Sequence, residues 1–159
     1  MNFMIKREQF VKIGLILISI AVSFFALNAF AESNVVIVVN QNNKVDKLSK
    51  KDLQDFYLGE ADKYAETKVK AKLCMNITVK DDFYKKIEVS ENQSAANKAK
   101  LLAIGKNDKV ITPKPVSTVA DVVEYILRNA DGGVCFIDKS DYEKLSDTDK
   151  KAMKVVFGQ

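Results

Sequence analysis

The feature that most constrains the fold is an unbroken apolar run, Val35–Val39, which leads through an Asn-rich loop into the start of a helix. A run without polar alternation is typical of a strand that is covered on both faces. Ser49 and Asp52 have the spacing of a capping box, and Gly59 supplies the residue that ends many helices. The sequence therefore predicts a buried, central strand followed by a helix over Lys50–Leu58, with its apolar side chains facing inward.

Strand signals recur in three later segments. Apolar residues alternate with Lys70, Lys72 and Cys74 over 69–75, which predicts a half-buried strand near a sheet edge. Val134–Ile137 follows a Gly-Gly turn and reads as a short apolar strand, and Met153–Phe157 reads as a closing strand. The stretch around Pro113 and Pro115 is predicted to be a loop.

Three further helices are expected between these strands. Thr78 with Asp81, and Thr118 with Asp121, repeat the capping-box spacing. The predicted helices carry Phe83, Tyr84 and Ile87 in the first, span about Gln93 to Ile104 in the second, and present Val119, Val122, Val123, Ile126 and Leu127 as a core face in the third. Strands that alternate with helices predict an α/β domain with a mainly parallel sheet flanked by helices.

The N-terminal residues have the composition of a secretory signal. Lys6, Arg7 and Lys12 precede an apolar run, Ile13–Leu27, and small residues follow it in Ala29-Phe30-Ala31. About 15 apolar residues fall short of the roughly 20 that a membrane-spanning helix needs. We expect residues 1–31 to be a cleaved signal peptide and residues 32–159 to form one periplasmic domain, with an uncleaved membrane anchor as the alternative.

Composition excludes several classes of function. The 159 residues contain no histidine and two cysteines, so imidazole-dependent nucleophilic sites and thiolate zinc sites have too few of the required groups. No pair of carboxylates lies in apolar surroundings that would separate their pKa values, and no basic block with interleaved aromatics indicates nucleic-acid binding. The sequence predicts a protein that is not an enzyme and that holds no metal or cofactor.

The segment Asn34–Gly59 resembles the phosphate-binding proteins of ABC importers, and above all their short single-lobe relatives. The resemblance rests on a Val/Ile strand that ends in Asn, a polar loop and the letters LSKKDLQDFYLG. Gly132–Ile137 is similar to that family's G-A-I-G-Y-V strand. The resemblance implies a single lobe of the periplasmic-binding-protein type II kind, related to the substrate-binding proteins of phosphate transport.

The same resemblance suggests where an anion would bind. The family's G-S-x-x-R segment is matched by Asn76-Ile77-Thr78-Val79-Lys80, with apolar Ile77 at the serine position. Helix N-termini favour anions, and ligands of open α/β sheets bind beyond the carboxyl ends of strands. The candidate anion-binding residues are Asn40, Asn76, Thr78, Lys80 and Thr118. Helix capping and turn formation are the alternative roles for these side chains.

A single lobe limits what this chain can do with a ligand. Two-lobed binding proteins bury a ligand by closing over it, so a lone lobe is expected to bind phosphate or a similar small anion weakly. The alternative is a non-catalytic envelope scaffold that binds a protein partner. A homodimer to which Phe56 and Tyr57, or the alternating strand edge, contribute is a further expectation, with packing in the core as the alternative role for Phe56.

Cys74 and Cys135 belong to a chain whose predicted compartment permits disulfides. The strand order that the resemblance implies, however, inserts the first strand between theirs. Two strand spacings, about 9.6 Å, exceed the roughly 7 Å over which a disulfide can form. This order favours two free thiols, with an intramolecular disulfide as the alternative.

Overall fold

The computed structural model describes residues 34–106 and 110–158. The predicted signal peptide, residues 1–31, lies outside this part of the chain. No helix in the two described ranges combines the length and the apolar character that crossing a membrane requires.

Five strands and six helices alternate along the described residues. They are β1 (Val35–Asn40), α1 (Lys50–Leu58), β2 (Lys72–Asn76), α2 (Lys80–Lys86), α3 (Glu91–Ala103), β3 (Lys114–Val116), α4 (Val119–Arg128), β4 (Gly133–Asp138), α5 (Lys139–Glu143), α6 (Asp147–Ala152) and β5 (Met153–Phe157). The predicted α1 is confirmed: Ser49 and Asp52 form a reciprocal capping box, and Gly59 ends the helix with a φ of 78°. Helix α3 begins at Glu91, before the expected Gln93, because Ser90 is its N-cap.

The strands form one mixed sheet in the order β3-β2-β4-β1-β5. β2 pairs in parallel with β3 and β4, whereas β1 pairs antiparallel with both β4 and β5. Four strands therefore run in one direction and β1 runs in the other. The predicted α/β class and the mostly parallel sheet are confirmed, and β1 is buried along its whole length between two neighbours.

The two faces of the sheet are covered by different helices. On one face, side chains of α1 and α2 meet β4, where Phe83 stacks on Phe136 with 4.0 Å between ring centroids. On the other face, Val122 and Ile126 of α4 cover alternate residues of the same strands. Phe56 and Tyr57 are fully buried in the first core. They stabilise the fold, and the expectation that they contribute to a dimer contact is wrong.

The prediction that β2 lies near a sheet edge is confirmed, whereas the expectation that Cys74 belongs to a solvated face of this strand is wrong. β2 lies between β3 and β4, and Cys74, expected on a solvated face, is fully buried. The edge is formed by β3, in the stretch expected to be a loop. Ile77 N–H donates to Val116 O at 3.0 Å, so the backbone groups of Val116 face β2. In a parallel pair of strands, alternate residues direct their backbone groups to the same neighbour, so the backbone of Pro115 faces away from β2. Proline lacks an N–H and therefore suits this exposed edge.

Cys74 and Cys135 form a disulfide with 4.9 Å between their Cα atoms. The expectation of two free thiols is wrong because β1 does not lie between β2 and β4. Leu73 of β2 pairs directly with Val134 of β4, so the two cysteines that follow are neighbours in register. The disulfide lies in the core beneath α4.

Candidate functional site

The loops that follow β2 and β3 lie side by side at the edge of the sheet that the carboxyl ends of these strands form. The bond from Ile77 N–H to Val116 O joins them, and α2 and α4 both begin there. Residues 76–80 and 117–118 are hereafter the loop edge. Four of the candidate anion-binding residues, Asn76, Thr78, Lys80 and Thr118, belong to the loop edge.

Asn40 lies at the opposite end of the sheet. Because β1 is antiparallel to β4 and β4 is parallel to β2, the carboxyl end of β1 points away from the loop edge. The Asn40 amide donates to Ile126 O at 3.4 Å, and its oxygen accepts a hydrogen bond from Asn42 N–H at 2.9 Å. Asn40 therefore does not lie with the other four candidate anion-binding residues.

Thr78 does not cap α2, in contrast to the prediction. The N-cap is Val79, which makes no side-chain capping bond. The side-chain oxygen of Asn76 accepts hydrogen bonds from the Thr78 hydroxyl at 2.7 Å and from the Thr78 N–H at 3.2 Å. Lys80 pairs with Glu91 at 2.9 Å, and this hydrogen bond raises the pKa of Lys80. The polar groups of this loop thus have partners within the chain.

The predicted capping box at the start of α4 is confirmed. The Asp121 carboxylate accepts hydrogen bonds from the Thr118 hydroxyl at 2.7 Å and the Thr118 N–H at 3.0 Å, and a longer one from the Ser117 N–H. The bond from the Thr118 hydroxyl is the main cause that lowers the pKa of Asp121. A negatively charged group of the chain itself therefore accepts the hydrogen bonds of Thr118, the residue expected to bind an anion at this helix start.

A cleft of about 550 Å³ adjoins the loop edge between β3 and α4. It is lined by Ile77, Lys114, Pro115, Val116, Ser117, Asp121, Glu124, Tyr125, Arg128 and Asn129. Glu124 and Arg128 form an ion pair at 2.6 Å, and the Lys114 ammonium lies 6.0 Å from the centroid of the Tyr125 ring. The cleft thus carries charges of both signs. Sequence reasoning missed it because its wall is the unpredicted strand β3.

The described residues offer little to a metal ion. Residues 34–106 and 110–158 hold no group of three or more His, Cys, Asp or Glu side chains placed to bind one. Every buried side-chain nitrogen and oxygen atom in the same ranges has a hydrogen-bond partner. The chemistry available at the loop edge is hydrogen bonding by hydroxyls and amides, with one lysine nearby.

The sequence matches no family model and no curated protein. Among solved structures it is similar to an ABC-type phosphate transport receptor from Vibrio cholerae, with a TM-score of 0.49 and 18% sequence identity. The similarity covers 77% of this chain and 45% of the receptor, so the chain spans less than half of the receptor's length. This is a distant similarity of fold, and no statement about ligand or partner follows from it.

Proposed function

We propose that this chain is an exported, non-catalytic binding lobe that takes phosphate or a similar small anion weakly at the loop edge. The observation that supports the site is the hydrogen bond from Ile77 to Val116, which holds the two loops together. It brings the hydroxyls of Thr78 and Thr118 to one edge, with Lys80 nearby. The resemblance of Asn34–Gly59 to phosphate-binding proteins supports the choice of ligand.

The expected weakness of binding has a physical cause. The Asp121 carboxylate already accepts the hydrogen bonds of Thr118, so an incoming anion must displace it or bind beside it. Two like charges about 4 Å apart in water repel each other by about 1 kcal/mol. A single lobe also leaves one side of a bound anion open to solvent.

The Asp121→Asn variant tests this site. Removal of the competing charge is expected to increase the rise in melting temperature that phosphate causes at low ionic strength, relative to the wild-type protein. A ligand that binds only the folded state stabilises it in proportion to its occupancy. The measurement compares phosphate, sulfate, nitrate and carboxylates, with chloride as the reference salt.

The matched control is Asp52→Asn, which changes the same position of the capping box at α1. Both variants lose a charged capping group, so both are expected to melt at a lower temperature without ligand. Only the Asp121 variant is expected to gain a phosphate response. An equal response of wild type and both variants, or no response to any anion at millimolar concentration, contradicts an anion site at the loop edge.

The internal partners of the loop edge favour a second candidate, a non-catalytic module that binds another envelope protein. Asn76 holds Thr78, Glu91 holds Lys80, and Asp121 holds Thr118. In this case the loops serve the fold, and the binding surface lies elsewhere on the domain. The Asp121 variant is expected to melt below the wild type because of its lost cap. A melting temperature of this variant that then stays the same in every anion is the result that supports this candidate.

A further inference from the structure

Helix α4 presents an apolar surface to solvent as well as to the core. Leu127, expected on the core face, is 46% exposed. It borders a groove of about 620 Å³ with Val119, Ala120, Val123 and Leu145, hereafter the α4 groove. The helix therefore has an inner apolar face on the sheet, and beside it a partly covered apolar strip in which Val119 and Val123 are half-buried and Leu127 is exposed.

Charged residues stand along the crest of the same helix. Glu124 and Arg128 line the α4 groove and also line the cleft on the other side of α4. The helix is thus a ridge between two depressions, and its crest carries one acidic and one basic side chain. Ridges that enter grooves are the general form of helix packing.

The order of charges on this ridge is complementary to itself. Glu124 and Arg128 are one turn apart and form an ion pair within the chain. When two copies of α4 lie antiparallel about a two-fold axis, Glu124 of each copy faces Arg128 of the other, because a two-fold contact pairs i with j and j with i. The two-fold axis then passes at the level of Ile126, which brings the Leu127 side chains of the two copies close together.

We propose that the α4 groove is a self-association surface, in which two copies of this chain pack α4 against α4 in an antiparallel arrangement. The charged residues that line the groove are Glu124, Arg128 and Asp149. Because Glu124 and Arg128 supply both halves of each pair between the copies, the occupant is a second copy. This inference does not depend on the anion site, because it uses the apolar strip of α4 and leaves the loop edge free.

The size of the surface sets the strength of the dimer. A helix of ten residues is about 15 Å long, and a single helix pair covers less than the roughly 800 Å² per partner of stable complexes. The dimer is therefore weak and exchanges rapidly with the monomer. Exposed ion pairs are screened by salt, so its dissociation constant rises with ionic strength.

Charge reversal tests the arrangement by sedimentation at low salt. Glu124→Arg alone and Arg128→Glu alone place like charges in both contacts, and each is expected to weaken self-association about tenfold. An equimolar mixture of the two variants restores opposite charges in both contacts, and so does the double variant. Recovery of wild-type association in the mixture and in the double variant is the expected result.

A second pair of variants tests the apolar contact. Leu127→Asp is expected to leave the protein monomeric, whereas Leu102→Asp, at a leucine of α3 that is 52% exposed, leaves association unchanged. Circular dichroism checks that each variant is folded. A wild-type protein that stays monomeric at millimolar concentration overturns the proposal. So does a mixture of the charge variants that associates no better than each variant alone, or association of the wild type only with a different protein or with lipid vesicles.

Discussion

Replacement of both cysteines, Cys74→Ala with Cys135→Ala, is expected to lower the free energy of unfolding by about 4 kcal/mol. The disulfide joins residues separated by 61 positions, so it removes a large part of the conformational freedom of the unfolded chain. Single domains have a total stability of about 5–15 kcal/mol. The variant is therefore expected to unfold at a much lower urea concentration.

The measurement is urea unfolding of the wild type and the variant, each with and without reductant. The unfolding free energy of the wild type is expected to fall toward that of the variant when reductant is present. Reductant is expected to leave the variant unchanged, which is the internal control. Two reactive thiols in unreduced, denatured wild-type protein contradict the disulfide and with it the expected loss.

The second large effect is expected on the other face of the sheet. Phe83→Ala is expected to lower the free energy of unfolding by about 3–5 kcal/mol, as large-to-small changes in aromatic cores do. Phe83 is fully buried, stacks on Phe136, and lies 4.6 Å from the Tyr57 ring. An alanine at this position leaves the space of the phenyl ring between α2 and β4 empty.

Leu102→Ala serves as the matched control for this variant. Its side chain is similarly apolar but exposed, so its loss is expected to change the unfolding free energy by less than about 0.5 kcal/mol. Chemical unfolding of both proteins gives the comparison. A loss below about 1 kcal/mol in the Phe83 variant contradicts the tight aromatic packing of this core.

The fold was predictable where local signals dominate. The capping box of Ser49 and Asp52 and the glycine at Gly59 define α1, and the largely apolar segment Met153–Phe157 after a charged stretch indicates β5. The order of the strands was not predictable in this way, because the run Val35–Val39 shows only that both faces are covered. Nothing in it specifies which strands are its neighbours. The expectation of two free thiols took its strand order from the family resemblance, and the sheet has a different order.

In the candidate site, too, a local sequence pattern does not determine which hydrogen bonds a side chain makes. Thr78 and Thr118 each precede an aspartate by three residues, yet only Thr118 caps a helix. The difference lies two residues earlier, where the Asn76 oxygen accepts both the hydroxyl and the N–H of Thr78. The spacing of Thr78 and Asp81 takes account of one acceptor for the Thr78 hydroxyl and N–H, the Asp81 carboxylate. In the folded chain the Asn76 oxygen is a second acceptor, and it takes both hydrogen bonds.

The place of β1 in the sheet has a consequence for how the chain folds. β1 pairs with β4 and β5, so its partners are synthesised about 100 residues after it, as in the pair Val35 and Asp138. Contacts so distant in sequence close large loops and slow the folding of a domain. The pairing of β1 therefore has to wait until β4 and β5 are available. That delay suits the proposed export, in which the polypeptide crosses a membrane before its sheet closes.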